Sequence, residues 1–79
     1  MIHLFDFNYR GHEISIYDYS SENGLKPDFA CDVREDDFDG EWISGRHEFA
    51  TQRDAVIYGI DIIDQYIYDQ IHFTEGISI

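Results

Sequence analysis

The segment from Thr51 to about His72 constrains the fold most, because it is the only long stretch with clean helical periodicity. Its apolar residues recur at spacings of four, three, four and four, which places them on one stripe of a helix. Thr51 followed three residues later by Asp54 approximates a capping box, a signal of a helix start. The sequence therefore predicts a helix over about 51–72, with Gly59 beside the stripe allowing a strand backbone to approach closely. The predicted core stripe is Val56, Ile60, Ile63, Ile67 and Ile71.

A second stripe of this helix combines carboxylates with apolar groups. Ile57, Asp61, Asp64 and Tyr68 follow a four, three, four spacing away from the core stripe. A polar helix side is usually a solvated surface. Apolar anchors among carboxylates also suit a protein partner, since they add charge complementarity to hydrophobic contact. The predicted partner-binding residues are Asp54, Ile57, Asp61, Asp64, Tyr68 and Asp69 on the helix, with Glu35, Asp36, Asp37 and Asp39 on an acidic hairpin.

Four segments before the helix have the aromatic content and alternation of β-strands, at about 2–9, 13–19, 28–35 and 41–49. Turn signals separate them, including Arg10-Gly11 between the first two. Residues 73–79 are predicted as a tail, with a short added strand as an option. The predicted fold is α+β: a four-stranded antiparallel sheet with one long C-terminal helix on one face, in the order ββββα, as a single domain over 1–79.

Alternation within the strands predicts which face each side chain occupies. Ile14 and Ile16 are predicted to face the helix, together with Phe29, Cys31 and Val33. In the first strand, alternation puts His3, Phe5 and Phe7 on one face and Ile2, Leu4 and Asp6 on the other. In the fourth, it separates Trp42, Ser44 and Arg46 from Ile43, Gly45, His47 and Phe49.

One helix covers one face of such a sheet, so the other face meets solvent or another molecule. The exposed face is predicted to carry aromatic rings among charged groups. Such a mixture occurs both in ordinary cross-strand pairs and in interaction surfaces, and both interpretations stay open. The residues concerned are Tyr17, Tyr19 and Trp42, with Glu13, Asp32, Arg34 and Glu48.

Seventeen acidic residues against five basic ones give a formal net charge of −12. Self-repulsion at this charge opposes compactness, which favours a use for the carboxylates, either solubility or a basic partner. Direct nucleic-acid binding and attachment to anionic membranes both require basic patches, so we expect neither. A single cysteine favours a reducing compartment, and the start of the chain does not have the pattern of a signal segment. A cytoplasmic location is expected, in the host cell if the chain is phage-encoded.

Known chemical motifs are incomplete in this chain. Asp37, Asp39 and Gly40 imitate part of a calcium loop, but Arg46 falls where the loop requires a bidentate glutamate. The four histidines lack the spacing of helical metal ligands, and the serines lack the context of a nucleophile. We therefore predict no catalytic residue, no metal site and no cofactor, and a protein that is not an enzyme.

Two functions are compatible with these features. The first is an acidic protein-binding or inhibitor protein that presents carboxylates to the basic groove of a partner, such as a nucleic-acid-binding protein. In size and charge the whole chain is similar to the small acidic DNA mimics of phages and mobile elements, including anti-restriction and anti-CRISPR proteins, although no motif is matched residue by residue. The alternative is a cytosolic accessory domain that is acidic for solubility, with homodimer formation an open option.

Overall fold

A computed structural model describes residues 1–22, 24, 26–35 and 40–78 of the chain, with 72–78 described by their backbone alone. The elements are β1 (Ile2–Tyr9), β2 (His12–Asp18), a short 3-10 turn (Ser20–Glu22), β3 (Phe29–Glu35), β4 (Trp42–Phe49) and α1 (Gln52–Ser78). The four strands form one antiparallel sheet in the order β1-β2-β3-β4, and α1 packs against it. The predicted ββββα fold is confirmed.

The turn between β1 and β2 has the backbone conformation that its two residues, Arg10 and Gly11, indicate. Arg10 and Gly11 both have positive φ, 52° and 78°, as a two-residue hairpin turn of type I′ requires. Asn8 Oδ1 accepts a hydrogen bond from the Gly11 backbone N–H at 3.2 Å, which closes the turn. β3 and β4 are joined at the same end of the sheet, where Glu35 N donates to Glu41 O at 3.0 Å.

The core lies between α1 and one face of the sheet, which we call the covered face. Ile14 and Ile16 of β2 and Cys31 and Val33 of β3 are completely buried there, as predicted. Phe29 is partly buried and packs against this cluster. The opposite side of the sheet is the open face. Register makes this arrangement self-consistent, because Ile14 lies opposite Val33 and Ile16 opposite Cys31.

The helix begins as its capping signal indicates, since Asp54 N donates to Thr51 Oγ1 at 3.0 Å. The most deeply buried line of the helix is Ala55, Gly59 and Ile63, spaced four residues apart. A Cβ on Gly59 would lie 2.8 Å from Cys31 Sγ, so the helix packs closely at this glycine, but against side chains of the sheet and not against the strand backbone that the sequence predicted. Four residues of the predicted stripe, Val56, Ile60, Ile63 and Ile67, pack in or against the core.

The fifth residue of that stripe contradicts the prediction, because Ile71 is 53% exposed. A helix of 27 residues spans about 40 Å and a strand of 8 residues about 27 Å, so α1 is longer than the sheet that it covers. Residues 68–71 are all exposed, as expected for the part that extends past the sheet. The helix also continues to Ser78, through the segment that the sequence suggested as a tail.

The face assignments within β1 and β4 are corrected by irregular register. A bulge between His3 and Phe5 shifts the alternation, so His3 pairs with Tyr17 on the open face while Phe5 and Phe7 stay on the covered face. Two further irregularities interrupt the pairing of β3 with β4. They leave Ile43, Ser44 and Arg46 on the covered side and Gly45 with Trp42 on the open side, a pattern that strict alternation cannot predict.

Candidate functional site

The outer stripe of α1, formed by Ile57, Asp61, Asp64 and Tyr68, lies opposite the buried line of the same helix. Ile57 is 44% exposed and Tyr68 is 55% exposed, and Asp61 is exposed between them. Ile71 extends this apolar exposure toward the end of the helix. Large apolar side chains that are exposed in a row with carboxylates form a surface suited to a protein with apolar and basic groups.

Asp64 differs from its neighbours because it is already bound within the chain. Its Oδ1 atom accepts hydrogen bonds from Arg10 Nη1 at 2.8 Å and from Tyr9 OH at 2.9 Å. These bonds from Arg10 and Tyr9 lower the pKa of the Asp64 carboxyl. Asp64 therefore attaches the β1–β2 turn to the helix, and its charge is largely offset by Arg10.

The two flanking carboxylates are placed differently from Asp64. Asp54 is exposed in the first helical turn, where a negative charge interacts favourably with the helix dipole. Asp69 is exposed, and its Oδ1 accepts a hydrogen bond from Gln65 Nε2 at 2.8 Å, one helical turn earlier. Both carboxylates remain accessible beside the outer stripe.

Of the predicted hairpin residues, Glu35 is described, whereas Asp36, Asp37 and Asp39 lie outside the described residues. Tyr66 OH donates to Glu35 Oε1 at 3.5 Å, and the Tyr66 ring meets His12 edge-on with centroids 5.6 Å apart. The start of the acidic hairpin is therefore at the same end of the molecule as the second half of α1.

The basic residues do little to offset the acidic surface. Among the described residues, Arg10 is the one Lys or Arg within ion-pair distance of a carboxylate. Arg46 instead lies over the Phe49 ring, 5.3 Å from its centroid, and 6.0 Å from the Tyr58 centroid on the covered side. Most carboxylates in the described part of the chain thus have no Lys or Arg partner.

The open face contains a pocket of about 570 Å³ between β3, β4 and the segment that follows β2. Its lining includes Tyr19, Asp28, Asp32, Trp42, Gly45 and His47. Trp42 is 62% exposed. The predicted exposed aromatics Tyr19 and Trp42 and the predicted Asp32 and Glu48 are brought together here, while Asp28, Gly45 and His47 were not singled out by the sequence.

Asp28 organises one wall of the pocket although it is only 5% exposed. Its Oδ1 accepts a hydrogen bond from Glu48 N at 2.6 Å and lies 3.5 Å from His47 Nδ1. Glu48 has a φ of 74°, a conformation that is unfavourable for a residue with a side chain. The Asp28 carboxylate thus holds the irregular end of β4 in place. Pairing between residues 20 positions apart leaves no local signal in the sequence.

A row of polar contacts crosses the other half of the open face. His3 Nε2 is 2.6 Å from Asp6 Oδ1, and the His3 ring lies against Tyr17 with centroids 5.1 Å apart. Hydrogen bonds from Ser15 and His3 lower the pKa of Asp6.

The three histidines with described side chains lie apart from one another. Like His3, His12 and His47 each lie against a different tyrosine ring.

Cys31 lies in the core, where burial raises the pKa of its thiol to about 12. It is therefore a neutral thiol at physiological pH and packs as a small apolar group. Within the described part of the chain, no three His, Cys, Asp or Glu side chains are grouped so as to hold a metal ion. In the same part, no helix combines the length and apolarity needed to cross a membrane.

Comparison with protein-family models, curated proteins and solved structures finds no match for this chain.

Proposed function

We propose that this protein is a non-enzymatic protein-binding domain that presents the outer stripe of α1 to a basic groove of a partner. The observation that carries the proposal is the exposure of Ile57, Asp61 and Tyr68 on the helix side opposite the core. The exposed apolar side chains of Ile57 and Tyr68 lie outside the buried core cluster, so a protein partner would have apolar surface to cover there. The carboxylates beside them would favour a basic partner and speed its association.

The partner class that best matches this surface is a nucleic-acid-binding protein. Its groove is positively charged because it must neutralise phosphates. Carboxylates displayed along a rigid helix would occupy such a groove in place of the phosphates, as a nucleic-acid mimic does. An inhibitor of the anti-restriction or anti-CRISPR kind would work in this manner. The net charge of −12 and the exposed Asp54, Asp61 and Asp69 support this assignment.

The structure refines which residues a test should change. Reversing the charge of Asp64 would place a cation against Arg10 and disturb the attachment of the β1–β2 turn. Ile57 and Asp61 are exposed, and neither side chain contributes to the buried core. A variant with Ile57→Ser and Asp61→Asn therefore alters the surface and leaves the fold in place.

The first measurement is a pull-down from host lysate at low salt with a salt-gradient elution, followed by binding assays with the purified partner. We expect the wild-type chain to displace a labelled oligonucleotide from that partner, and the Ile57→Ser/Asp61→Asn variant to bind at least about tenfold more weakly. Glu13→Gln removes one unit of charge from the open face and serves as the control, with an expected change within about twofold. Equal weakening by both variants, or no displacement, would contradict the proposal.

A further inference from the structure

The pocket on the open face has the composition of a site for an organic cation. Trp42 offers an exposed indole ring and Tyr19 a second ring, and rings of this kind attract cations through their electron-rich faces. Asp32 Oδ1 and the Trp42 indole both close over Gly45, at 2.6 Å and 3.2 Å from the place where a Cβ would be. Glycine at this position thus allows a carboxylate and an indole ring to meet at one point of the pocket.

The charges around the pocket are predominantly negative. Glu22 and Glu48 join Asp28 and Asp32 in its lining. Arg46 also contributes to the lining, but its guanidinium is directed to the other side of the sheet, over Phe49 and Tyr58. His47 lies near Asp28, 3.5 Å from its Oδ1. The carboxylates of Asp32 and Glu48 make no hydrogen bond or ion pair with a described residue.

We propose that this pocket binds an alkylammonium or guanidinium group, with Trp42 as the ring platform and Asp32 as the counter-ion. The group is that of a lysine or arginine side chain. A cation on the indole face would meet the Asp32 carboxylate, which has no side-chain partner among the described residues. The inference goes beyond the function proposed above, because the pocket is on the open face and α1 is on the covered face.

The single tryptophan of the chain makes the test direct, since all indole fluorescence comes from Trp42. Nα-acetyl-lysine methylamide and Nα-acetyl-arginine methylamide are titrated at constant ionic strength against the folded protein. The blocked form of citrulline, which has nearly the shape of arginine without its charge, is the neutral control. We expect a saturable fluorescence change with at least one cation, at a dissociation constant on the order of millimolar, and none with citrulline.

Two variants locate the binding. Asp32→Asn keeps the shape of the side chain and should weaken cation binding about tenfold or more, since a charge-assisted contact is lost. Asp61→Asn removes the same charge from α1 and should leave cation binding within about twofold of the wild type. A linear, non-saturating response, an equal response to citrulline, or unchanged binding by Asp32→Asn would overturn the proposal. Because no macromolecular partner takes part, failure here leaves the proposal for α1 standing.

Discussion

The two faces of the sheet differ in how the same four strands are used. On the covered face, Ile14, Ile16, Cys31 and Val33 are fully buried against the helix. On the open face, the same strands carry polar pairs, a pocket and a tryptophan that is 62% exposed. The two faces therefore have different roles. The covered face supplies most of the burial that stabilises the domain, and the open face keeps aromatic and charged groups available for contact.

The two roles are not completely separate, because parts of the open face are also shielded from solvent. Ser15 is 3% exposed and Ala30 is 5% exposed, although both point away from the helix. Larger neighbours cover these small side chains, since Asp6 lies opposite Ser15 and Tyr17 opposite Ala30. Side chains of the open face therefore also contribute to the packing of the sheet.

The largest expected effect is on the covered side. Ile63→Ala should lower the free energy of unfolding by about 3 kcal/mol, because it opens a cavity at the centre of the core. Ile57→Ala is the matched control on the opposite side of the same helix and should change stability by less than about 0.5 kcal/mol. Urea denaturation followed by circular dichroism measures both. Similar losses in the two variants would show that the two sides of α1 contribute equally to stability, contrary to their burial.

A smaller effect is expected from the buried carboxylate on the open face. Asp28→Asn weakens the charge-assisted hydrogen bond to Glu48 N and should cost about 1 kcal/mol of stability. Asp32→Asn, at the fourth residue of β3, removes a carboxylate without a side-chain partner and should cost less than about 0.5 kcal/mol. If the two asparagine variants were equally stable, Asp28 would not be holding the end of β4.

The smallest effect concerns Asp64, whose pKa is lowered by Arg10 and Tyr9. A carboxyl with a lowered pKa in the folded state stabilises the protein above its unfolded pKa, and this contribution is lost as the pH falls through the folded pKa. Between about pH 5 and pH 2, the wild type should therefore lose more stability than Asp64→Asn does. Urea midpoints at each pH measure the difference.

Salt and a neighbouring carboxylate provide the controls for this last prediction. The difference between the wild type and Asp64→Asn should shrink in about 1 M salt, because the ion pair with Arg10 is exposed and is screened. Asp61→Asn should follow the wild-type pH dependence, since the Asp61 carboxylate has no ion pair or hydrogen bond to a described residue. A wild-type pH dependence in Asp64→Asn would refute the role assigned to this carboxylate.

Local patterns in the sequence were sufficient to predict the strands and the helix and to identify the residues at the centre of the core. Alternation identified Ile14, Ile16, Cys31 and Val33 as inward residues, and helical spacing identified Ile63. The capping signal at Thr51 located the start of the helix. These predictions succeed because period and capping depend on residues that are neighbours in the chain.

Predictions failed where a property depended on register between distant segments. A bulge moved His3 to the face of Asp6, and irregular pairing with β3 reordered the faces of β4. Ile71 continued the helical period but lay beyond the sheet, where no strand could bury it. Asp64 resembled a free surface carboxylate in the sequence and proved to be bound by Tyr9 and Arg10.

The sequence by itself determined the ββββα order, the apolar core and the strongly negative charge. The order and the core follow from the periodicity of apolar residues along the chain, and the net charge is the sum over its ionisable residues. Only the tertiary structure decided which carboxylates stay available and where an aromatic pocket forms. Asp28 meets Glu48, and Asp32 and Trp42 meet over Gly45, because folding sets distances between strands that are far apart in sequence. Such contacts depend on bulges and register, which the local pattern leaves unspecified.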